Sequence, residues 1–235
     1  LMQILLTLII FLLTLFIYIH INFHLKTNND LEIFDVDEVN KDKLEEICDL
    51  KQPLVFKYYV EDLYNNLQYK YIVSNYKTFD INIRNVDEYN EPDSNILPIS
   101  LKDGIDLFNK DISGNYISEY NSDFIEETTL YKYIKANDLF LRPPLCSECK
   151  YDILIGAKNS YTPLRYEINY RNFFYVINGK IEIMLTIPNN AKYLNIFADY
   201  EKFEFRSNLN PYNEKDREKM EKVKFLNVTL EKGDI

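Results

Sequence analysis

Histidine is nearly missing from this chain. The 235 residues hold two, His20 and His24, both in or beside an apolar N-terminal run, so residues 25–235 contain none. A site built on two imidazoles is therefore excluded from the rest of the chain, whatever its fold. Tryptophan is absent, and glycine is scarce at five residues. No G-x-G-x-x-G or G-x-x-x-x-G-K-[ST] string occurs, which excludes nucleotide binding by those phosphate-cradling loops. The three cysteines, Cys48, Cys146 and Cys149, are too few and odd in number for a disulfide framework. Cys146-Ser147-Glu148-Cys149 is a C-x-x-C with no second pair and no nearby histidine, so it falls short of the four ligands of a structural zinc site. The flanking Pro143-Pro144 marks a loop, and a plain loop feature is expected there in preference to a metal or redox site. Basic runs are missing too. Lysines are interleaved with Asp and Glu, the net charge is −10, and such a chain repels phosphate backbones, so no nucleic acid is expected as a partner.

What is present begins with an apolar run. Residues 1–21 carry no charge, and residues 1–23 are long enough, at about 1.5 Å per helical residue, to cross a bilayer. Residues 15–28 contain no Ala, Gly or Ser, so a cleavage site for a signal peptide is missing and an uncleaved transmembrane anchor is expected. The chain starts at Leu1, which places the natural start at Met2 or upstream. The side of the membrane is not specified, since Lys26 is the sole cation close to the run. Residues 24–39 form an acidic connector.

Aromatics reach 15%, with 20 tyrosines, and the remaining length suits one folded domain over residues 40–235. Asn40–Leu50 reads as a capped helix, and Leu54–Val60, Tyr69–Ser74 and Phe79–Val86 read as strands. Glu91–Asn95 reads as a turn. Ser100-Leu101-Lys102-Asp103 opens a helix through Phe108 with a capping box. Tyr116–Tyr120 is a short strand, and Asp123–Asn137 is one helix. From Asp152 onward strands are dense: Asp152–Ala157, Leu164–Ile168, Asn172–Asn178, Lys180–Ile187, Tyr193–Phe197 and Phe225–Leu230. A helix over Tyr212–Val223, with Asn213 as a cap, interrupts them. Asn227-Val228-Thr229 is a glycosylation sequon in form and carries little weight alone.

Two adjacent segments carry a resemblance. They are Tyr161-Thr162-Pro163-Leu164-Arg165-Tyr166-Glu167 and Asn172-Phe173-Phe174-Tyr175-Val176-Ile177-Asn178-Gly179-Lys180. Together they resemble the metal-site strand and the following hairpin strand of the JmjC-like, or cupin-like, family of Fe(II) and 2-oxoglutarate oxygenases. In that family Thr-x-Leu-His-x-Asp precedes an Asn, an apolar strand and a Gly turn. Lys51–Phe56, Ser100–Phe108, Tyr151–Ala157 and Val228–Ile235 are similar, in order, to further pieces of the family. The resemblance implies a mainly β fold, a double-stranded β-helix (jelly-roll) with flanking helices, preceded by the transmembrane helix. It places the third metal ligand, a His, shortly after Asp234, so the family domain would extend past Ile235.

The same resemblance implies a facial triad for iron. Its first His position is Arg165 and its carboxylate position is Glu167. A guanidinium is a permanent cation with donors only and cannot ligate a metal. Thr162, Asn172 and Lys180 stand at or near the positions of the cosubstrate pocket, Lys180 being one place off. Three uses of Arg165 and Glu167 stay open: an ion pair that braces the interior, an anion pocket, or retained chemistry with unusual ligands. The expected function is a membrane-anchored, non-catalytic or impaired relative that acts as a binding module. No cofactor is expected, and the partner would be an anionic small molecule or a protein. The alternative is an active hydroxylase using Fe(II) and 2-oxoglutarate.

Overall fold

A computed structural model describes residues 2–89, 96–200 and 203–235. The expected turn at Glu91–Asn95 lies outside the described residues. The first element, α1 (Met2–Leu25), is exposed on every described face and has the length and apolar character to cross a membrane. Its end is tied to the folded part. Lys26 donates to the Asp49 carbonyl (3.2 Å) and Asn28 to the Leu50 carbonyl (2.9 Å). The Lys51 ammonium lies over the rings of Phe23 (4.8 Å) and Tyr170 (4.1 Å).

The acidic connector does not stay free of the fold. Its β1 (Phe34–Val36) pairs in parallel with β2 (Leu54–Phe56). Between them, α2 (Lys41–Asp49) starts at Asn40, whose side chain accepts the Lys43 N–H, and it buries Leu44 and Ile47. Then come α3 (Glu61–Asn66) and α4 (Tyr69–Tyr76). The latter occupies the segment expected as a strand at Tyr69–Ser74. Its β-forming residues are overridden because Ile72 and Tyr76, four apart, share the helix face that enters the core.

A four-stranded sheet follows, built from β3 (Asp80–Asn85), β4 (Leu97–Ser100), β5 (Tyr116–Ser118) and β6 (Ile155–Gly156) in the order β4-β3-β5-β6. Between β4 and β5, α5 (Leu101–Lys110) begins at Ser100, whose hydroxyl accepts the Asp103 N–H at 3.1 Å. The helix expected over Asp123–Asn137 is two: α6 (Ser122–Glu127) and α7 (Leu130–Asn137). Thr128 is extended and buried at the break, and its hydroxyl donates to the Ile125 carbonyl. The core joins these pieces through Leu44, Ile81, Leu101, Phe124 and Leu130, with Tyr76, Phe79 and Phe124 meeting edge to face.

The last third contains β7 (Arg165–Tyr166), β8 (Lys180–Leu185), β9 (Ile196–Asp199), β10 (Glu204–Ser207), α8 (Glu214–Lys219) and β11 (Leu226–Glu231). They form a three-stranded sheet, β7-β10-β9, and a separate two-stranded one, β11-β8. The jelly-roll expectation is overturned here. The chain is mixed α/β, with 38% of it helical and 20% in strands, and its sheets are small and separate. The expected hairpin of Asn172–Asn178 with Lys180–Ile187 does not form. Val176 instead exchanges backbone hydrogen bonds with the C-terminal segment, donating to Asp234 (2.9 Å) and accepting from Gly233 (2.8 Å). β8 takes β11 as its antiparallel partner, with Lys180 opposite Glu231. A turn at Gly179 (φ +76°) is kept, but it redirects the chain without closing a ladder.

Candidate functional site

The site begins with the alternation of β3. Ile81 and Ile83 face α5 and the apolar core, while Arg84 faces the other way and is 2% exposed. β3 is thus a wall, with hydrocarbon on one side and charge on the other. β5 pairs with it, placing Arg84 opposite Ile117, and Glu119 follows two residues later on that same face. Glu119 is also 2% exposed. The third wall comes from β7 and β10, where Arg165 stands opposite Arg206 and Glu204 precedes Arg206 by two residues.

These side chains close into one network. Glu119 binds Arg165 Nη1 at 2.6 Å and Arg84 Nη1 at 3.3 Å, and it accepts the Tyr89 hydroxyl at 2.9 Å. Glu204 holds Arg84 Nη2 at 2.9 Å and pairs with Arg206 through its other oxygen. Glu167 meets Arg165 Nε at 3.4 Å. Three arginines therefore face three glutamates, and the tyrosine rings of Tyr89 and Tyr120 lie over the Arg84 guanidinium at 5.0 and 5.3 Å. Two like charges directly opposite on neighbouring strands, Arg165 and Arg206, would repel, and the interposed carboxylates offset that.

Electrostatics follow the geometry. Burial pushes the Tyr89 hydroxyl well above its usual range, and the Glu119 charge adds to the effect. Tyr120 is raised for the same two reasons. Burial opposes the Arg165 charge, but Glu119, Tyr120 and Glu167 together more than offset it and the guanidinium ends above its ordinary value. Arg206 moves the other way, lowered by burial and by repulsion from Arg84. The Nε atoms of Arg84 and Arg206 are buried without an acceptor. Near them lies a narrow cleft with about 10 Å³ of accessible space, the room of one water, whose lining includes Tyr120, Arg165, Tyr166, Glu167, Phe203 and Arg206.

Of the five residues singled out from the sequence, the structure brings Arg165 and Glu167 together. Thr162 is half-buried just before β7, and it does not line the cleft. Asn172 is exposed and accepts from Asn169 at 3.0 Å. Lys180 is exposed at the start of β8, on the separate two-stranded sheet. Sequence reasoning missed Arg84, Glu119, Glu204 and Arg206. The last two sit in Phe203-Glu204-Phe205-Arg206, a period-two alternation that marks β10 in hindsight. Glu119 has no such signal, because its partners lie 35 and 46 positions away in sequence. Among the described residues no group of three or more His, Cys, Asp or Glu side chains is arranged to hold a metal ion. No protein-family profile matches the chain, and no curated protein matches it either.

Proposed function

We propose that this chain is a single-pass, membrane-anchored protein whose folded part is a non-catalytic binding module. One observation carries the reading. Arg165, at the position where the sequence resemblance calls for a neutral iron ligand, spends its charge on Glu119 at 2.6 Å and Glu167 at 3.4 Å. Glu167 is drawn into the same pairing, so both positions act as an internal brace. A guanidinium has no lone pair to give a metal, and the carboxylates around it serve as its counter-ions. The apolar α1, exposed on every described face and followed by Lys26 and Asn28, which bond to the Asp49 and Leu50 carbonyls, supports the anchor.

The cleft beside Arg165 supports a ligand class. Its accessible space, about 10 Å³, holds a single water and is far below the roughly 300–1,000 Å³ of drug-sized pockets, so a ligand would meet it from outside, at the partly exposed Arg165. A small carboxylate, free or on a protein partner, is the ligand proposed for the open part of the Arg165 guanidinium.

Three measurements test the reading on the full chain in detergent. Titration with Fe(II) or Mn(II) should give no stoichiometric binding, and 2-oxoglutarate should not be turned over. Acetate should raise the melting temperature, and Arg165→Gln should remove that gain. Turnover of 2-oxoglutarate that Glu167→Ala abolishes would overturn the proposal. Release of the chain from membranes by alkaline carbonate would overturn the anchor.

A further inference from the structure

The loop between α7 and β6 holds the C-x-x-C, and the structure gives it a geometry that its spacing alone does not. Cys146 and Cys149 place their sulfurs 3.4 Å apart, with both thiols free. Cys146 is exposed and Cys149 half-buried. The Cys146 thiol also donates to the Glu148 carbonyl at 3.3 Å, which holds it turned back over the Ser147-Glu148 pair.

The loop that carries them is pinned at its base. Arg142 pairs with Asp138 at 2.8 Å, the Tyr151 hydroxyl donates to the same carboxylate, and Lys41 on α2 donates to the Phe140 carbonyl at 2.8 Å. At its tip, Leu145 is left-handed (φ 59°) and 97% exposed, immediately before Cys146. A non-glycine residue in that conformation costs on the order of 1 kcal/mol and persists only where its surroundings hold it. Two sulfurs in contact on an anchored loop, one of them open to solvent, form a preorganised dithiol. Two thiols fall short of a zinc ligand set, and no third His, Cys, Asp or Glu is grouped with them among the described residues.

We propose that Cys146 and Cys149 form a redox-active dithiol that closes to an intramolecular disulfide by exchange with a low-molecular-weight disulfide. The Cys146 thiolate attacks one sulfur of the oxidant and releases one thiol, leaving a mixed disulfide on Cys146. The Cys149 thiolate then attacks the Cys146 sulfur, and the second thiol leaves. The protein loses two electrons and two protons, and one oxidant disulfide becomes two thiols. The order follows from access: Cys146 meets solvent, whereas burial and the Cys146 contact push the Cys149 thiol up. Closure fixes the segment that presents Leu145, while Cys48, packed against the apolar core, takes no part.

The test uses the full chain in detergent with oxidised glutathione. The expected product has lost the mass of two hydrogens in the peptide holding residues 146–149, and after denaturation only Cys48 is alkylated. Cys149→Ser should instead accumulate a glutathione adduct on Cys146, and Cys48→Ser should leave closure unchanged. Two separate glutathione adducts on the wild-type loop, or both thiols still open to alkylation after oxidation, would overturn the proposal.

Discussion

Removing the charge of Glu119 tests the arginine–glutamate network most directly. Glu119→Gln keeps the shape of the side chain and can still accept from the Tyr89 hydroxyl, but it leaves Arg84, 2% exposed, with Glu204 alone as a carboxylate partner, and Arg165 with the distant oxygen of Glu167. Breaking a buried pair by deleting one partner costs about 3–5 kcal/mol, because the other charge stays buried. The Arg165 side chain is 23% exposed and can regain some water, so the lower end, about 3 kcal/mol, is expected. At roughly 2–4 °C per kcal/mol for a chain of this size, the melting temperature should fall by about 6–12 °C. Arg165→Met alone leaves Glu119 with Arg84 and should cost less. Combined with Glu119→Gln it should cost less than the two single losses added together, by about 0.5–3 kcal/mol of coupling. Thermal and urea unfolding of the four proteins in one detergent measures this cycle. A loss in Glu119→Gln no larger than a surface substitution, about 0.5 kcal/mol, would refute the closed network, and so would strict additivity with Arg165→Met.

Two further expectations follow from packing and protonation. Gly104→Ala on α5 would set its new Cβ 2.7 Å from Ile81 Cδ1, an atom of a residue 1% exposed. Overpacking of about 1–3 kcal/mol should outweigh a helix-propensity gain of about 1 kcal/mol, and Ile81→Val in the same protein should restore stability by removing that methyl. A Gly104→Ala protein more stable than wild type would contradict this packing. The Arg171 hydrogen bond, with help from Lys41, holds the Glu45 carboxyl below its usual value of 4.5, against the opposing effect of burial. A depressed carboxylate stabilises the fold above its unfolded pKa and loses that contribution as pH falls through the folded one. Urea midpoints should therefore drop as pH is taken below 4.5, and Glu45→Gln should show a shallower drop. Identical pH profiles for the two proteins would remove Glu45 from the account.

Local signals were legible wherever a residue acts on its immediate neighbours. Asn40, Ser100 and Asn213 cap the helices expected of them, since a cap is a contact over two or three residues. The strand expected over Phe79–Val86 is β3, where Ile81 and Ile83 alternate with Asn82 and Arg84. Tyr69–Ser74 misled because its β-forming residues also place Ile72 and Tyr76 on one helical face, and the core selected that face. The resemblance over residues 161–180 led to a jelly-roll because order along the chain says nothing about which strands pair. β8 found β11, more than forty residues on, in place of the segment just before it.

The sequence by itself determined three things: an apolar N-terminal helix long enough for a bilayer, a folded remainder without imidazole, and a guanidinium at position 165 that cannot ligate a metal. Each depends on composition or on the chemistry of one side chain, and no folding changes it. The tertiary structure alone decided that Arg165 meets Glu119, that Arg84 and Glu204 complete the network, and that the small sheets stay separate. Those outcomes depend on strand pairing between distant segments. Such pairing is settled by the joint burial of many side chains, which no local pattern encodes.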